Sequence, residues 1–357
     1  MKKIKDQFQN TITHYWKIYK TDQIQRLYQK GKYEKIASNL KTFSQYNNIK
    51  INEYSFIFFL ISEQNKSAID KILQKTYYKA NILSDYNNNS QITPLSFSIL
   101  NNMQDMSDYL IQQGANLHQK NNEGNTILHI ASFLGNLEAL KFCLEKNVNI
   151  NDQNNKGDTA ILYAIIKQNI EIIQFLLKNG ANITISNKDG FYPIHEATIT
   201  GNIEILKLLI NSLDFIRSQF PICDPVHLAS QLDSVEILSF FIEKDKHLVN
   251  IQDKTYNQTP LHYAVNEKKY ECARYLLINK ADANLKDIHG NTPLHFATLN
   301  KDLNMIGLLE EFGGNALIKN DDGLSCIDVC YIDKDIRIIN YYKTLNKYSQ
   351  HFMNLYQ

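Results

Sequence analysis

A four-residue string, Thr-Pro-Leu-His, stands intact at Thr259-Pro260-Leu261-His262 and again at Thr292-Pro293-Leu294-His295. Degraded copies precede it at Thr126-Ile127-Leu128-His129, Tyr192-Pro193-Ile194-His195 and Asp224-Pro225-Val226-His227. With the first residue of the string as anchor, anchors or their equivalents fall at Asp22, Ser55, Thr93, Thr126, Thr159, Tyr192, Asp224, Thr259, Thr292 and Ser325. The steps between them are 33, 38, 33, 33, 33, 32, 35, 33 and 33 residues. A chain with this period is built from stacked supersecondary units, each burying its apolar face only against its neighbours.

Each anchor opens the same unit. After Thr126, apolar residues spaced three and four apart predict a first helix, Gly135-Asn136 a turn, and Leu140, Phe142 and Leu144 the buried face of a second helix. A glycine often stands two before the anchor (Gly124, Gly157, Gly190, Gly290, Gly323), where a tight turn needs positive φ.

From about residue 85 to 340 this pattern resembles the ankyrin repeat family, and more weakly from 22 to 84. There the resemblance rests on Gly31-Lys32-Tyr33-Glu34, and on the run Phe56–Ile61 followed by Ile69, Ile72 and Leu73. It implies an all-α solenoid of helix-turn-helix units joined by β-hairpin-like loops. The expected organisation is an N-terminal amphipathic capping helix over 1–21, two divergent repeats over 22–84, eight repeats over 85–340 and a C-terminal capping helix over 341–357.

Composition allows this. The chain has 357 residues, is 43% hydrophobic and 21% charged, and carries a net charge of +1. No apolar run approaches the ~20 residues of a membrane span, and the N-terminus lacks a signal-peptide apolar core. Five cysteines, Cys143, Cys223, Cys272, Cys326 and Cys330, predict a reducing, cytoplasmic setting. Residues 1–50 hold eleven Lys/Arg against three Asp/Glu, so this stretch is about +8. Ile4, Phe8, Ile12, Tyr15 and Tyr19 form one apolar stripe among its lysines. The stripe reads as a cap on the first repeat, or as a basic surface helix for a membrane or an acidic partner. Ile339, Tyr342, Leu345 and Phe352 suggest a helix sealing the other end.

Chemistry is sparse. His129, His195, His227, His262 and His295 share the fourth string position. One repeat of spacing puts them roughly 10 Å apart, too far to share a metal ion. The resemblance implies instead that each ties its repeat to the neighbouring hairpin. Cys326 and Cys330 could face one side of a helix, but lack further ligands apart from His351 outside the repeat, and read as core thiols. The sequence contains no phosphate loop, GxSxG, HExxH or CxxC. The expectation is therefore a non-enzyme without cofactor or metal, monomeric, and without a nucleic-acid stripe.

The resemblance implies that partners contact hairpin tips and first helices, at four, three and one residues before the anchor and seven and eight after it. Those offsets predict a partner-binding groove from Phe133, Leu134, Lys156, Ile166, Lys188, Phe191, Ile199, Phe220, Tyr256, His289 and Leu299. The function expected is a protein-interaction scaffold or adaptor. Recruitment through the basic N-terminal segment, or regulation of an enzyme or channel carried by another chain, is the alternative. The Asp224 unit departs most: Pro221 and Pro225 flank Cys223, Ile222 replaces the glycine, and the next step is two residues long, predicting a local irregularity.

Overall fold

A computed structural model of the protein describes residues 60–61, 64–75, 93–211, 224–345 and 348. The N-terminal stripe, the Asp22 and Ser55 anchors, the 76–89 loop expected to hold the extra residues of the long step, Phe220–Cys223, His351 and Phe352 lie outside them. The chain divides into two units, Met1–Asp189 and Gly190–Gln357, each described by itself.

Among the described residues there are seventeen α-helices and no strand. The first unit holds α1 (Lys66–Lys75), α2 (Pro94–Leu100), α3 (Gln104–Gln112), α4 (Ile127–Leu134), α5 (Leu137–Glu145), α6 (Ala160–Ile166) and α7 (Ile170–Lys178). The second holds α8 (Pro193–Thr200), α9 (Ile203–Asn211), α10 (Pro225–Gln231), α11 (Val235–Lys244), α12 (Pro260–Asn266), α13 (Tyr270–Ile278), α14 (Pro293–Leu299), α15 (Leu303–Glu311), α16 (Cys326–Ile332) and α17 (Ile336–Thr344). Helices this short are marginal alone, because nucleation is costly. Packing supplies their stability: Leu140, Cys143, Ile172, Ile173 and Leu176 are fully buried in the first unit, and Leu261, Cys272, Leu276, Leu294 and Ile306 in the second. Each such aliphatic side chain contributes about 1.5–3 kcal/mol.

The anchors have one structural meaning. Thr93, Thr126, Thr159, Tyr192, Asp224, Thr259, Thr292 and Ser325 are each the N-cap of a first helix, with extended backbone. Proline follows at several of them because the first helical position needs no amide donor. Nine residues after the anchor the chain reverses in a left-handed conformation, at Asn102, Gly135, Gln168, Gly201, Asp233, Lys268, Lys301 and Lys334. Gln64, also left-handed, lies nine residues after Ser55 and so carries the register into the divergent stretch. Leu60 and Ile61 just before it are helical and fully buried, as expected for the end of the Phe56–Ile61 run.

The loops before the anchors are closed by the backbone five residues before the anchor. Asn154 N–H donates to Asp158 C=O at 3.0 Å, Asp287 to Asn291 at 2.8 Å and Asn320 to Leu324 at 2.9 Å. The side-chain oxygen of the same residue accepts amides inside the turn, as Asn154 Oδ1 does from Lys156 and Asp158. Successive loops then join edge to edge through one backbone bond: Asn155 N–H to Glu123 C=O at 3.0 Å, Lys188 to Lys156 at 2.9 Å, Ile288 to Tyr256 at 2.8 Å and Asp321 to His289 at 3.0 Å.

Of the irregularity expected at the Asp224 unit, the segment before the anchor lies outside the described residues, and the two extra residues of the following step fall after the second helix. Where that position is described, the other units turn through a left-handed residue 21 positions after the anchor, such as Gly180 or Lys280. Here Asp245 is extended and caps a 3₁₀ turn, Lys246–Asn250. The following loop is one residue longer, running from Asp253 to Gln258, and Asn257 with φ 51° takes the glycine's place.

At the C-terminus, α17 is the second helix of the last pair and runs through residue 341, where the sequence reading begins a separate capping helix. Beyond it, buried Tyr348 donates its hydroxyl to Glu310 Oε1 at 2.7 Å and accepts from Ala316 N–H at 2.9 Å. Tyr348→Phe removes both links and one partner of a buried carboxylate. A loss of about 2 kcal/mol in chemical denaturation is expected.

Candidate functional site

The histidines set the frame on which the site is built. In His129, His262 and His295, Nδ1 accepts the N–H of the residue that caps its helix at 3.1 Å. A backbone N–H can only donate, so Nδ1 is unprotonated and the neutral ring carries its proton on Nε2. That proton goes to the carbonyl just before the next anchor: Asp158 at 2.9 Å, Asn291 at 3.2 Å and Leu324 at 3.2 Å. His227 does the same toward Gln258 at 3.0 Å and also meets Ile251 C=O at 3.1 Å. Burial, outweighing these bonds, pushes all four imidazoles below their usual pKa, His262 to about 4. His195 accepts from Tyr192 N–H at 3.1 Å. Each of these rings is already committed to backbone partners. Among the described residues no group of three or more His, Cys, Asp or Glu is placed to hold a metal ion. Cys143, Cys272, Cys326 and Cys330 are free and buried, and burial raises their thiols away from reactivity.

An aromatic residue four after the anchor connects this frame to the loops. Tyr163 stacks edge-on to His129, its hydroxyl accepts from Asn154 Nδ2 at 2.9 Å, and its ring meets Phe133 at 6.3 Å. Phe296 meets His262 edge-on in the same way, and Tyr263 packs tilted against His227. In the first unit, therefore, a loop and the C-terminal end of a first helix border one floor.

The predicted site residues divide by exposure. Ile166, Ile199, Tyr256 and Leu299 are exposed, the last two at 52% and 54%. Lys156, Lys188 and His289 are exposed on loops. Phe133 and Phe191 are half-buried: Lys167 Nζ sits 4.2 Å from the Phe133 ring centre, and Phe191 lies edge-on to His195 at 5.5 Å. Leu134 is also half-buried, and Phe220 is outside the described residues. Ile288, Leu232, Ile332 and Lys167 are absent from the predicted set, yet are exposed at the same offsets, Ile332 at 63%. The offset rule alone is the signal that finds them.

A family model described as ankyrin repeats (3 copies) matches residues 57–154, 114–187, 132–219, 194–287 and 226–320. The chain belongs to the ankyrin repeat family. A putative ankyrin repeat protein, L371, of Acanthamoeba polyphaga mimivirus is 26% identical over 118 residues, which cover 32% of this chain and 15% of that protein. The fold is similar to the ankyrin repeat domain of human ASB11, with TM-score 0.51 and 23% identity over 57% of this chain and 91% of that one. It is similar also to the ankyrin repeat domain of Bcl-3, a member of the IkappaB family, with TM-score 0.52 and 22% identity over 58% and 95%. Ankyrin repeats are generally protein-interaction modules. Among the described residues no helix is long and apolar enough to cross a membrane.

Proposed function

We propose that this ankyrin repeat protein is a non-catalytic scaffold or adaptor that binds partner proteins through its loop tips and the C-terminal ends of its first helices. The observation that carries this reading is the recurrence of exposed apolar side chains at one register position, seven after the anchor: Ile166, Ile199, Leu299 and Ile332. The buried frame fixes that position in every unit, and nothing within the frame requires an aliphatic group there. Large apolar side chains on a rigid surface mark interaction sites, and a tyrosine such as Tyr256 is the residue type that most often anchors them.

Both Tyr256 and Leu299 are more than half exposed, so Tyr256→Glu with Leu299→Glu should leave the melting temperature within about 2 °C of wild type. Affinity capture from a lysate of the source cells is expected to retain a protein on the wild type and lose it on the double variant. Equal capture by both would sink this reading.

A further inference from the structure

Between α2, α3 and α5 of the first unit lies a cavity of about 250 Å³. Ile99, Ser107 and Phe142 form its floor and are all buried. Met103 is half-buried beside them, and Asn102, Gln104 and Glu138 stand exposed at its mouth. The repeat register explains the space. Fourteen residues after the anchor, Leu140, Ile173, Leu206, Leu238 and Ile306 are fully buried, and this pair has Ser107 instead. Eleven after the anchor, the later pairs all carry an aliphatic or aromatic residue, and this one has Gln104. The later pair that is also small at the first of these positions, with Ala273, holds Tyr270 at the second. Serine in place of leucine leaves room that packed neighbours only partly reclaim.

We propose that this cavity binds a small uncharged group, one or two rings in size, with a hydrogen-bonding edge. An apolar cavity of about 150 Å³ holds benzene, so this one has room for a substituted or fused ring. The ring packs on Ile99 and Phe142. Its polar edge meets the carboxamides of Asn102 and Gln104, which make no hydrogen bond among the described residues. Water gains little at the floor. The one hydroxyl there, of Ser107, already meets Ser98 Oγ at 2.8 Å and Met103 C=O at 3.0 Å, and a buried water needs about two to four partners. The lining holds no unpaired charge: Glu138 pairs with Lys141 at 2.7 Å, and Lys146, which lies over the Phe142 ring, pairs with Asp108 at 2.6 Å. An ion entering would lose its water without gaining a counter-charge. The walls come mainly from second helices, so this site goes beyond the interaction surface of loop tips and first-helix ends, and either can fail alone.

The test is NMR of the full chain labelled at its methionine methyls and titrated with indole. Indole is expected to bind with a Kd on the order of 1 mM or tighter. It should shift the Met103 methyl and leave in place that of Met305, buried in the second unit. Ser98→Ala with Ser107→Leu gives this pair the residues that the next pair has at Ala131 and Leu140. That variant should melt at or above the wild-type temperature and no longer bind indole. Benzoate and benzylammonium should bind at least about tenfold more weakly than indole. N-acetyltryptophanamide separates the two sources of such a ring. Tighter binding than indole makes it a side chain presented by a protein, weaker binding makes it a free small molecule, and either result supports the site. A Met103 methyl that stays in place up to about 10 mM indole, binding undiminished in the folded double variant, or either ion bound more tightly than indole would overturn the proposal. Should the variant unfold, the methyl shift and the comparison of ions decide on the wild type alone.

Discussion

Gly157→Ala is expected to destabilise the first unit by about 3 kcal/mol, and Gly180→Ala by about 1 kcal/mol. Both glycines are left-handed, with φ of 81° and 87°. A non-glycine residue there costs about 1–2 kcal/mol, partly offset because alanine restricts the unfolded chain. The two sites differ in what a methyl group would meet. At Gly180 nothing lies within 4 Å, whereas at Gly157 a Cβ would stand 2.8 Å from the Lys188 backbone nitrogen and 3.1 Å from Asn187 Cα. Backbone cannot swing aside as a side-chain tip can. The neighbouring loop must move, and the Lys188 N–H to Lys156 C=O bond is lost or stretched. Urea denaturation of the two variants measures the difference, and faster amide exchange at Lys188 in the Gly157 variant locates it. Equal losses would mean that the turn's left-handed backbone alone selects glycine, and that the close approach of the next loop costs nothing.

Acid is expected to weaken the fold well before the carboxylates as a group titrate. His129, His227, His262 and His295 are held neutral by the native structure, with folded pKa values below the unfolded value of about 6.5. Between the two values the unfolded chain binds protons that the folded chain refuses, so stability falls as pH falls through that window. For His262, with a folded value of about 4, the loss reaches about 2 kcal/mol by pH 5. Asp224 acts in the opposite sense. Its burial, which Lys254 opposes and Asp253 reinforces, raises its carboxyl to about 6, so between about 6 and its unfolded value the folded state takes up the proton first. One carboxyl opposes four imidazoles, and the net result is a melting temperature that drops from pH 7 to pH 5. His262→Gln should flatten the profile by that residue's share. If the stability difference between wild type and this variant were the same at pH 7 and pH 5, the His262 ring would not be held neutral.

The sequence made the frame legible because its parts are chemically distinctive. Thr, Ser or Asp at a cap, histidine three residues later and glycine in the turn each have a local reason to stand where they do, and the structure puts the described ones in those roles. The left-handed position nine after the anchor is different. Lysine and glutamine occupy it at Lys268, Lys301, Lys334 and Gln168, and neither carries a turn preference. At those four the conformation is imposed by two helices that must pack against each other and composition gives no sign of it, whereas Asn102, Gly135, Gly201 and Asp233 are residue types that favour a turn. Asn257 stands at the glycine's own offset, two before Thr259, and is missed only when the template asks for Gly, since Asn also tolerates the left-handed region.

At the candidate surface, position is legible and exposure is not. Phe133 and Phe191 satisfy the same offset rule as Tyr256 and Leu299. Lys167 and His195 cover part of their rings, and those contacts come from residues at other offsets or in the next repeat. A one-dimensional rule cannot count what a neighbour has already buried.

The histidine links have a direction. Each Nε2 proton passes to a carbonyl further along the chain, so His129, His227, His262 and His295 depend on the repeat after their own and not on the repeat before it. In the last pair the position holds Asp328 instead, which accepts from the Ser325 N–H at 2.9 Å and hydroxyl at 2.6 Å and offers no donor onward. A carboxylate at this position therefore cannot donate to a following loop as the histidines do. Cutting the chain inside the second unit strands a buried donor on the retained side, whereas removing residues from the unit's leading edge strands none of these. Loss of order should thus travel backward from a severed C-terminal end, and a nascent chain completes each repeat only when the loop after it has been made.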